Sequence, residues 1–215
     1  MGNGINSSSS ELFRLLRTNL LFMLNSVDDK VVLMTSARSG EGKSFISINL
    51  AATLALLKGK RVLLIGMDIR KPQLANYMGI APNPGLTEYL STPDMSLEKI
   101  IRRNTPMENM DVIVAGPIPP NPSEQLASDH VDELFAKLRT MYDYIIIDSA
   151  PVGMVSDTFS LNRVADATVF VTRVNHSQIS DLEYLNKIYA DKRLKKLSVV
   201  VNGTQSKQGY GYGYK

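Results

Sequence analysis

Ala37-Arg38-Ser39-Gly40-Glu41-Gly42-Lys43-Ser44 sets two glycines, a lysine and a hydroxyl directly behind a short apolar run, and a helical pattern begins at once after it. That order suits a phosphate. Successive backbone N–H groups at a helix N-terminus wrap an anion, Gly40 and Gly42 permit close approach, Lys43 neutralises charge, and Ser44 offers its hydroxyl to Mg²⁺. The segment reads as a P-loop. Ala37 stands where the pattern usually has its first glycine, and a methyl group is tolerated there if the backbone angles are ordinary. Ser39, Gly40, Glu41, Gly42, Lys43, Ser44 and Phe45 are the expected contacts to a nucleotide, with ATP and Mg²⁺ as the ligands.

Two carboxylates close other apolar runs. Asp148 ends Tyr144-Ile145-Ile146-Ile147, where a Walker B aspartate belongs, and Asp68 follows Val62 to Ile65 in Gly66-Met67-Asp68-Ile69-Arg70-Lys71-Pro72. Ser44, Asp68 and Asp148 are the candidate holders of the metal, and Lys43, Asp68 and Asp148 the candidate catalytic groups. Phosphoryl transfer asks mainly for positioning and charge neutralisation, which such a set can supply to a well-placed hydroxyl acceptor. The eukaryotic protein-kinase signatures Gly-x-Gly-x-x-Gly, His-Arg-Asp and Asp-Phe-Gly do not occur, so any kinase chemistry here is P-loop chemistry.

The elements that must carry these residues follow from the pattern of the rest. Val31–Met34, Arg61–Ile65, Val112–Ala115, Tyr144–Ile147, Ala167–Thr172 and Leu197–Val201 are continuously apolar and rich in Val and Ile, as strands buried on both faces are. Helical patterns over 8–25, 43–58, 128–141 and 180–192 lie among them. The alternation predicts an α/β fold, a P-loop NTPase-like parallel sheet flanked by helices on both faces. Prolines and glycines from Pro72 to Pro93, and again over Gly116–Pro122, predict irregular segments at the carboxyl edge, where open parallel sheets bind ligands.

Composition narrows the chemistry further. With 215 residues, 44% of them hydrophobic and 21% charged, the chain is long enough for a full core. It has no cysteine, and His130 and His176 are its only histidines, which excludes a disulfide framework, an iron–sulfur centre and an ordinary Cys/His zinc site. A net charge of +3 is too small and dispersed to argue for nucleic acid. No apolar run approaches the roughly 18 residues that cross a bilayer. Asn6 stands where a myristoylation signal wants Ser or Thr, so residues 1–7 read as a disordered lead or cloning remnant, 8–203 as the domain and 204–215 as a flexible Gly/Tyr tail. Arg163, His130, His176 and the Arg102-Arg103 pair read as surface residues.

With these residues in place, the chain resembles the cytoplasmic catalytic domain of bacterial tyrosine kinases, the P-loop family of capsule and exopolysaccharide export. The resemblance spans essentially the whole chain. It rests on Thr35-Ser36 ahead of the P-loop, Asp68-Ile69-Arg70-Lys71-Pro72, Ile145-Ile146-Ile147-Asp148-Ser149-Ala150-Pro151 and Pro119-Pro120-Asn121-Pro122-Ser123-Glu124. It implies an ATP- and Mg²⁺-dependent protein-tyrosine kinase that autophosphorylates its tail tyrosines Tyr210, Tyr212 and Tyr214 in trans and regulates polysaccharide assembly. Glu11, Arg14 and Arg17 match the family's ring-assembly motif, which implies a homo-oligomeric ring, an octamer by resemblance. The resemblance also implies a membrane-spanning co-polymerase domain or separate adaptor, a cognate tyrosine phosphatase, and a place at the cytoplasmic face of the bacterial inner membrane. Asn202, at the end of the last strand run, is the expected contact to the adenine edge.

The second motif departs from the family. It usually reads Asp-x-Asp, its first aspartate proposed to take the tyrosine proton, and here that position is Gly66. Asp68 assuming the role, a metal-lowered acceptor pKa, or transfer without a dedicated base remain open, with Asp68 preferred. Two other functions compete with the kinase. A switch ATPase similar to the septum-site and chromosome-partitioning group would use Arg38 where that group has a lysine reaching across a dimer. An ATP-binding ring module would have lost efficient transfer.

Overall fold

The computed structural model describes residues 7–103 and 105–204. The apolar runs form strands β1 (Val31–Ser36), β2 (Val62–Gly66), β4 (Met110–Ile113), β5 (Tyr144–Asp148), β6 (Ala167–Arg173) and β7 (Leu197–Asn202), joined by a two-residue β3 (Ile101–Arg102). They make one sheet in the order β3-β4-β2-β5-β1-β6-β7. Every neighbouring pair is parallel except β3 with β4.

Helices α1 (Ser7–Met23), α2 (Lys43–Ala55), α6 (Asp129–Met141) and α8 (Ile179–Ala190) cover the sheet, with shorter α3 (Leu74–Met78), α4 (Leu86–Ser91), α5 (Pro122–Ala127) and α7 (Asp157–Leu161) near its carboxyl edge. Successive strand residues point to opposite faces, and two apolar clusters result. Leu33, Ile65, Ile147 and Phe170 pack with Leu134 and Phe135 of α6 and Ile188 of α8. Val32, Met34, Leu64 and Ile146 pack with Leu20 of α1 and Leu50 and Leu54 of α2 on the other face. The expected layered α/β architecture is therefore present, with one antiparallel edge added.

The differences from the sequence pattern have local causes. β4 begins at Met110, two residues ahead of expectation, because Asp111 is a buried strand residue whose carboxylate accepts the Tyr142 hydroxyl at 2.7 Å. A carboxylate inside an apolar run looks like its end when its partner is 31 residues away. β3 is too short to show a period. α5 starts on Pro122 at its first turn, where a missing N–H costs nothing, so the proline-rich segment ends in a helix rather than in more loop. α2 stops at Ala55, ahead of the expected 58.

Three carboxyl ends matter for function. β1, β5 and β2 lie side by side, in the registers Met34↔Asp148 and Gly66↔Asp148, so the segments that follow them share one edge. Among the described residues, no helix is long and apolar enough to cross a membrane.

Candidate functional site

At that edge a cleft of about 1060 Å³ is lined by Ser39 through Phe45, Asp68, Arg70 and Asp148. The loop leaving β1 turns through Gly40 (φ 85°) and Gly42 (φ 89°), and Gly42 caps α2 in the left-handed conformation. A Cβ at Gly42 would stand 2.1 Å from Asn202 Nδ2, so both backbone angle and space require glycine there. Ala37 is not among the described residues with positive φ.

Lys43 is the first residue of α2, and its side chain retains 9% of its exposure. Its ammonium lies 3.3 Å from Asp148 Oδ1, which also accepts the Ser47 hydroxyl at 3.3 Å. Asp68 is carried just beyond β2, where its N–H and that of Met67 donate to the Asp148 carbonyl at 3.1 and 2.8 Å. Its Oδ1 accepts the Lys71 N–H at 3.0 Å, which shapes the turn. Burial pushes the Asp68 carboxyl above its usual range; Lys43 and the N–H bonds pull against this, and Asp148 adds repulsion. Lys43, Asp68 and Asp148 thus converge on one cleft.

The outside of the loop is held as firmly as the inside is open. Ser39, Gly40 and Glu41 turn their carbonyls away, and each accepts one side chain: His176 Nε2 at 2.8 Å, an Arg173 N–H at 2.9 Å, and the Asn202 amide at 3.0 Å. The buried Glu41 carboxylate accepts the Arg38 N–H at 3.0 Å and the Ser177 hydroxyl. Asn202, expected at the adenine edge, here braces the loop from β7. His176 is a surface residue, as expected, and in addition its ring is bonded to the loop. Pattern alone could not find Arg173 and His176, because their importance comes from β6 lying next to β1, and strand order is not written in one strand.

Arg38 is held within its own chain, with Nε on Asp181 at 2.6 Å and its other nitrogen on Gln178 at 2.9 Å. On the far side of the cleft, Arg70 donates to both Asp157 oxygens at 2.6 and 3.3 Å and to Ser123 Oγ at 2.8 Å; the Ser123 hydroxyl donates to Asp157 at 2.8 Å. Three loops, after β2, β4 and β5, are thereby locked to one another. Glu11 and Arg14 form an exposed pair on α1, whereas Arg17 donates to the Thr53 carbonyl of α2 at 2.8 Å. Phe45 is exposed and meets Phe13 edge-on at 5.9 Å between centroids. Tyr210, Tyr212 and Tyr214 lie outside the described residues.

The oxygen donors fit a hard cation of the Mg²⁺ type. Among the described residues no group of three or more His, Cys, Asp or Glu converges as a metal cage. Mg²⁺ is characteristically held by one or two carboxylates together with substrate phosphates and water, and Ser44, Asp148 and Asp68, which line the cleft, are the residues that would provide the protein's share.

A parallel sheet with a phosphate cradle at its carboxyl edge defines a P-loop nucleotide-binding domain, and the AAA domain family model matches residues 29–196. The tyrosine-protein kinase YwqD of Bacillus subtilis (strain 168) is 35% identical over 208 residues, 97% of this chain and 86% of that protein. EpsB of Ralstonia nicotianae is 37% identical over 96% of this chain; the chain spans 27% of that protein's length. Among solved structures, the chimerical protein CapA2B2 superposes with a TM-score of 0.83 at 32% identity, over 93% of this chain and 86% of that one. The chain belongs to the bacterial tyrosine-kinase family. The septum-site protein MinD of Pyrococcus horikoshii, with a TM-score of 0.64 at 22% identity, shares the fold.

The Arg70–Asp157 pair gives an acid-stability test. Burial opposes ionisation of Asp157, but Arg70 and Ser123 outweigh it and hold its carboxyl below 3.8, the value of a free aspartate. A lowered folded pKa means stability that is present above the unfolded value and lost as pH falls through the folded one. Asp157→Asn should therefore cost about 1–3 kcal/mol at pH 7. Its melting temperature should also fall less steeply than that of the wild type as the pH is taken below 4, as measured by circular dichroism.

Proposed function

We propose that this chain transfers the γ-phosphoryl group of ATP, in the presence of Mg²⁺, to tyrosine hydroxyls, with Tyr210, Tyr212 and Tyr214 of a neighbouring copy as acceptors. The convergence of Lys43, Asp148 and Asp68 behind the braced loop carries the reading. The loop N–H groups and Lys43 bind the phosphates, and Lys43 exchanges its bond to Asp148 for them. Mg²⁺ would be held by Ser44, Asp68 and Asp148 and would neutralise phosphate charge. The phenol oxygen attacks the γ-phosphorus, the bond to the β,γ-bridging oxygen breaks, ADP leaves, and the phenol proton passes to the Asp68 carboxylate. Asp68, just beyond β2 and lining the cleft, is the carboxylate placed for that role. Gly66 carries no carboxylate, and a Cβ there would meet Leu74 Cδ2 at 3.1 Å, so Leu74 crowds the place of the family's usual first aspartate.

Arg38 favours this reading over a switch ATPase, since its guanidinium is engaged within its own chain by Asp181 and Gln178. The copies assemble as a ring, taken as an octamer, through the exposed side of α1, where Leu12 and Leu15 accompany the Glu11–Arg14 pair. Phosphorylation adds about −1.5 to −2 charges per tyrosine. A fully modified tail is then repelled from the carboxylate-lined cleft, and the ring loosens until a cognate phosphatase resets it. We place this cycle at the cytoplasmic face of the inner membrane, with a co-polymerase domain or adaptor as partner and polysaccharide export as its output.

Mass spectrometry after incubation with Mg-ATP should find phosphate on the tail tyrosines of the wild type and none with Lys43→Met. Asp68→Asn, given a kinase-dead tail donor, should be slowed by about 10²-fold or more; full activity would remove Asp68 as the base, and free phosphate without tail modification would favour the switch ATPase. For assembly, light scattering should show the Glu11→Ala/Arg14→Ala double variant shifted to smaller species; an unchanged mass would take α1 out of the interface.

A further inference from the structure

The last residue of β6, Arg173, which also borders the cleft, and His176 in the turn that follows supply two of the three side chains fixed to the outer carbonyls of the P-loop. We propose that Arg173 and His176 are positioning residues for nucleotide binding, which hold the empty loop in its phosphate-competent shape. The inference rests on the nucleotide-binding reading of the cleft.

A peptide unit has its N–H and C=O on opposite sides, so fixing a carbonyl outward aims the N–H of the next residue inward. Ser39, Gly40 and Glu41 are three successive units treated in this way, by His176, Arg173 and Asn202. The N–H groups so aimed are those of Gly40, Glu41 and Gly42, at the centre of the cradle. A loop with two glycines at positive φ is otherwise free to turn those units over. Because a carbonyl only accepts, His176 Nε2 carries the proton toward Ser39.

The brace is itself built. The Arg173 N–H donates to Ser177 Oγ at 2.8 Å, and the Ser177 hydroxyl reaches the buried Glu41 carboxylate of the same loop. Space is matched as well, since a Cβ at Gly40 would lie 3.2 Å from His176 Nε2. The start of α8 adds a further tie through Asp181 and Arg38.

A loop competent only part of the time lowers apparent affinity by its competent fraction, while a bound triphosphate holds the loop itself. Losing a brace should therefore weaken binding and leave turnover of the bound complex alone. Both side chains are exposed, so their removal opens no core.

The test measures ADP affinity by calorimetry, and KM for ATP and kcat in tail phosphorylation, for wild type, His176→Ala, Arg173→Ala and His176→Gln. Thermal melting serves as the check on folding. We expect each alanine variant to weaken ADP binding and raise KM by about fivefold to tenfold, with kcat within about twofold. His176→Gln, which can still present an N–H, should recover most of the loss. Wild-type affinity in both alanine variants would overturn the inference, as would equal falls in kcat and affinity with no recovery by glutamine. Failure of the wild type to take up ADP at all would instead remove the nucleotide-binding reading beneath it.

Discussion

Lys43 carries a charge into the floor of a cleft where its side chain keeps 9% of its exposure, and a charge so placed needs an opposite one close by. Asp148 provides it at 3.3 Å, held in turn by Ser47 from the next turn of α2. The same requirement explains what the cleft is for. On the proposed function a phosphate group takes the place of the carboxylate, so the ion pair that matches the two charges in the empty site is exchanged when the site fills. That exchange depends on β1 and β5 being hydrogen-bonded neighbours, because Lys43 follows one and Asp148 ends the other.

The rest of the edge is organised around this pair on two sides. Toward β6 and β7 the loop is fixed by Arg173, His176 and Asn202 acting on backbone carbonyls, a rigid arrangement suited to a ligand bound the same way each time. Toward β2 and β4, Arg70, Asp157 and Ser123 join the segments after three strands into one rim of the cleft. Lys43 and Asp148 lie between the braced loop and this rim, as the proposed catalysis by positioning requires.

The cradle, the buried strands and both carboxylates were legible in the sequence because each is a short contiguous pattern: glycines at fixed offsets, an apolar run, an acid at its end. Register and strand order were not, and with them went everything that depends on neighbours. Asp111 inside β4 read as a strand boundary because its partner Tyr142 is remote in the chain. His176 read correctly as a surface residue, but its bond to the loop was invisible because nothing near it hints that β6 lies against β1. Asn202 was singled out as a contact to an adenine edge; in the structure it ends β7 and its amide donates to the Glu41 carbonyl of the glycine loop, a contact that depends on strand order. Asp157, fully buried and charged, left no mark in the sequence at all, since its reason for being there is Arg70, 87 residues earlier.

The central claim is that the Lys43 ammonium leaves Asp148 for a nucleotide phosphate. Titration of ATP with Mg²⁺ into the wild type and Lys43→Met proteins, followed by calorimetry, addresses it directly. The account predicts saturable one-site binding in the wild type that falls by at least about tenfold when the ammonium is removed, the scale of one charge-assisted contact. Absence of saturable uptake in the wild type, or equal affinity in the two proteins, would contradict it.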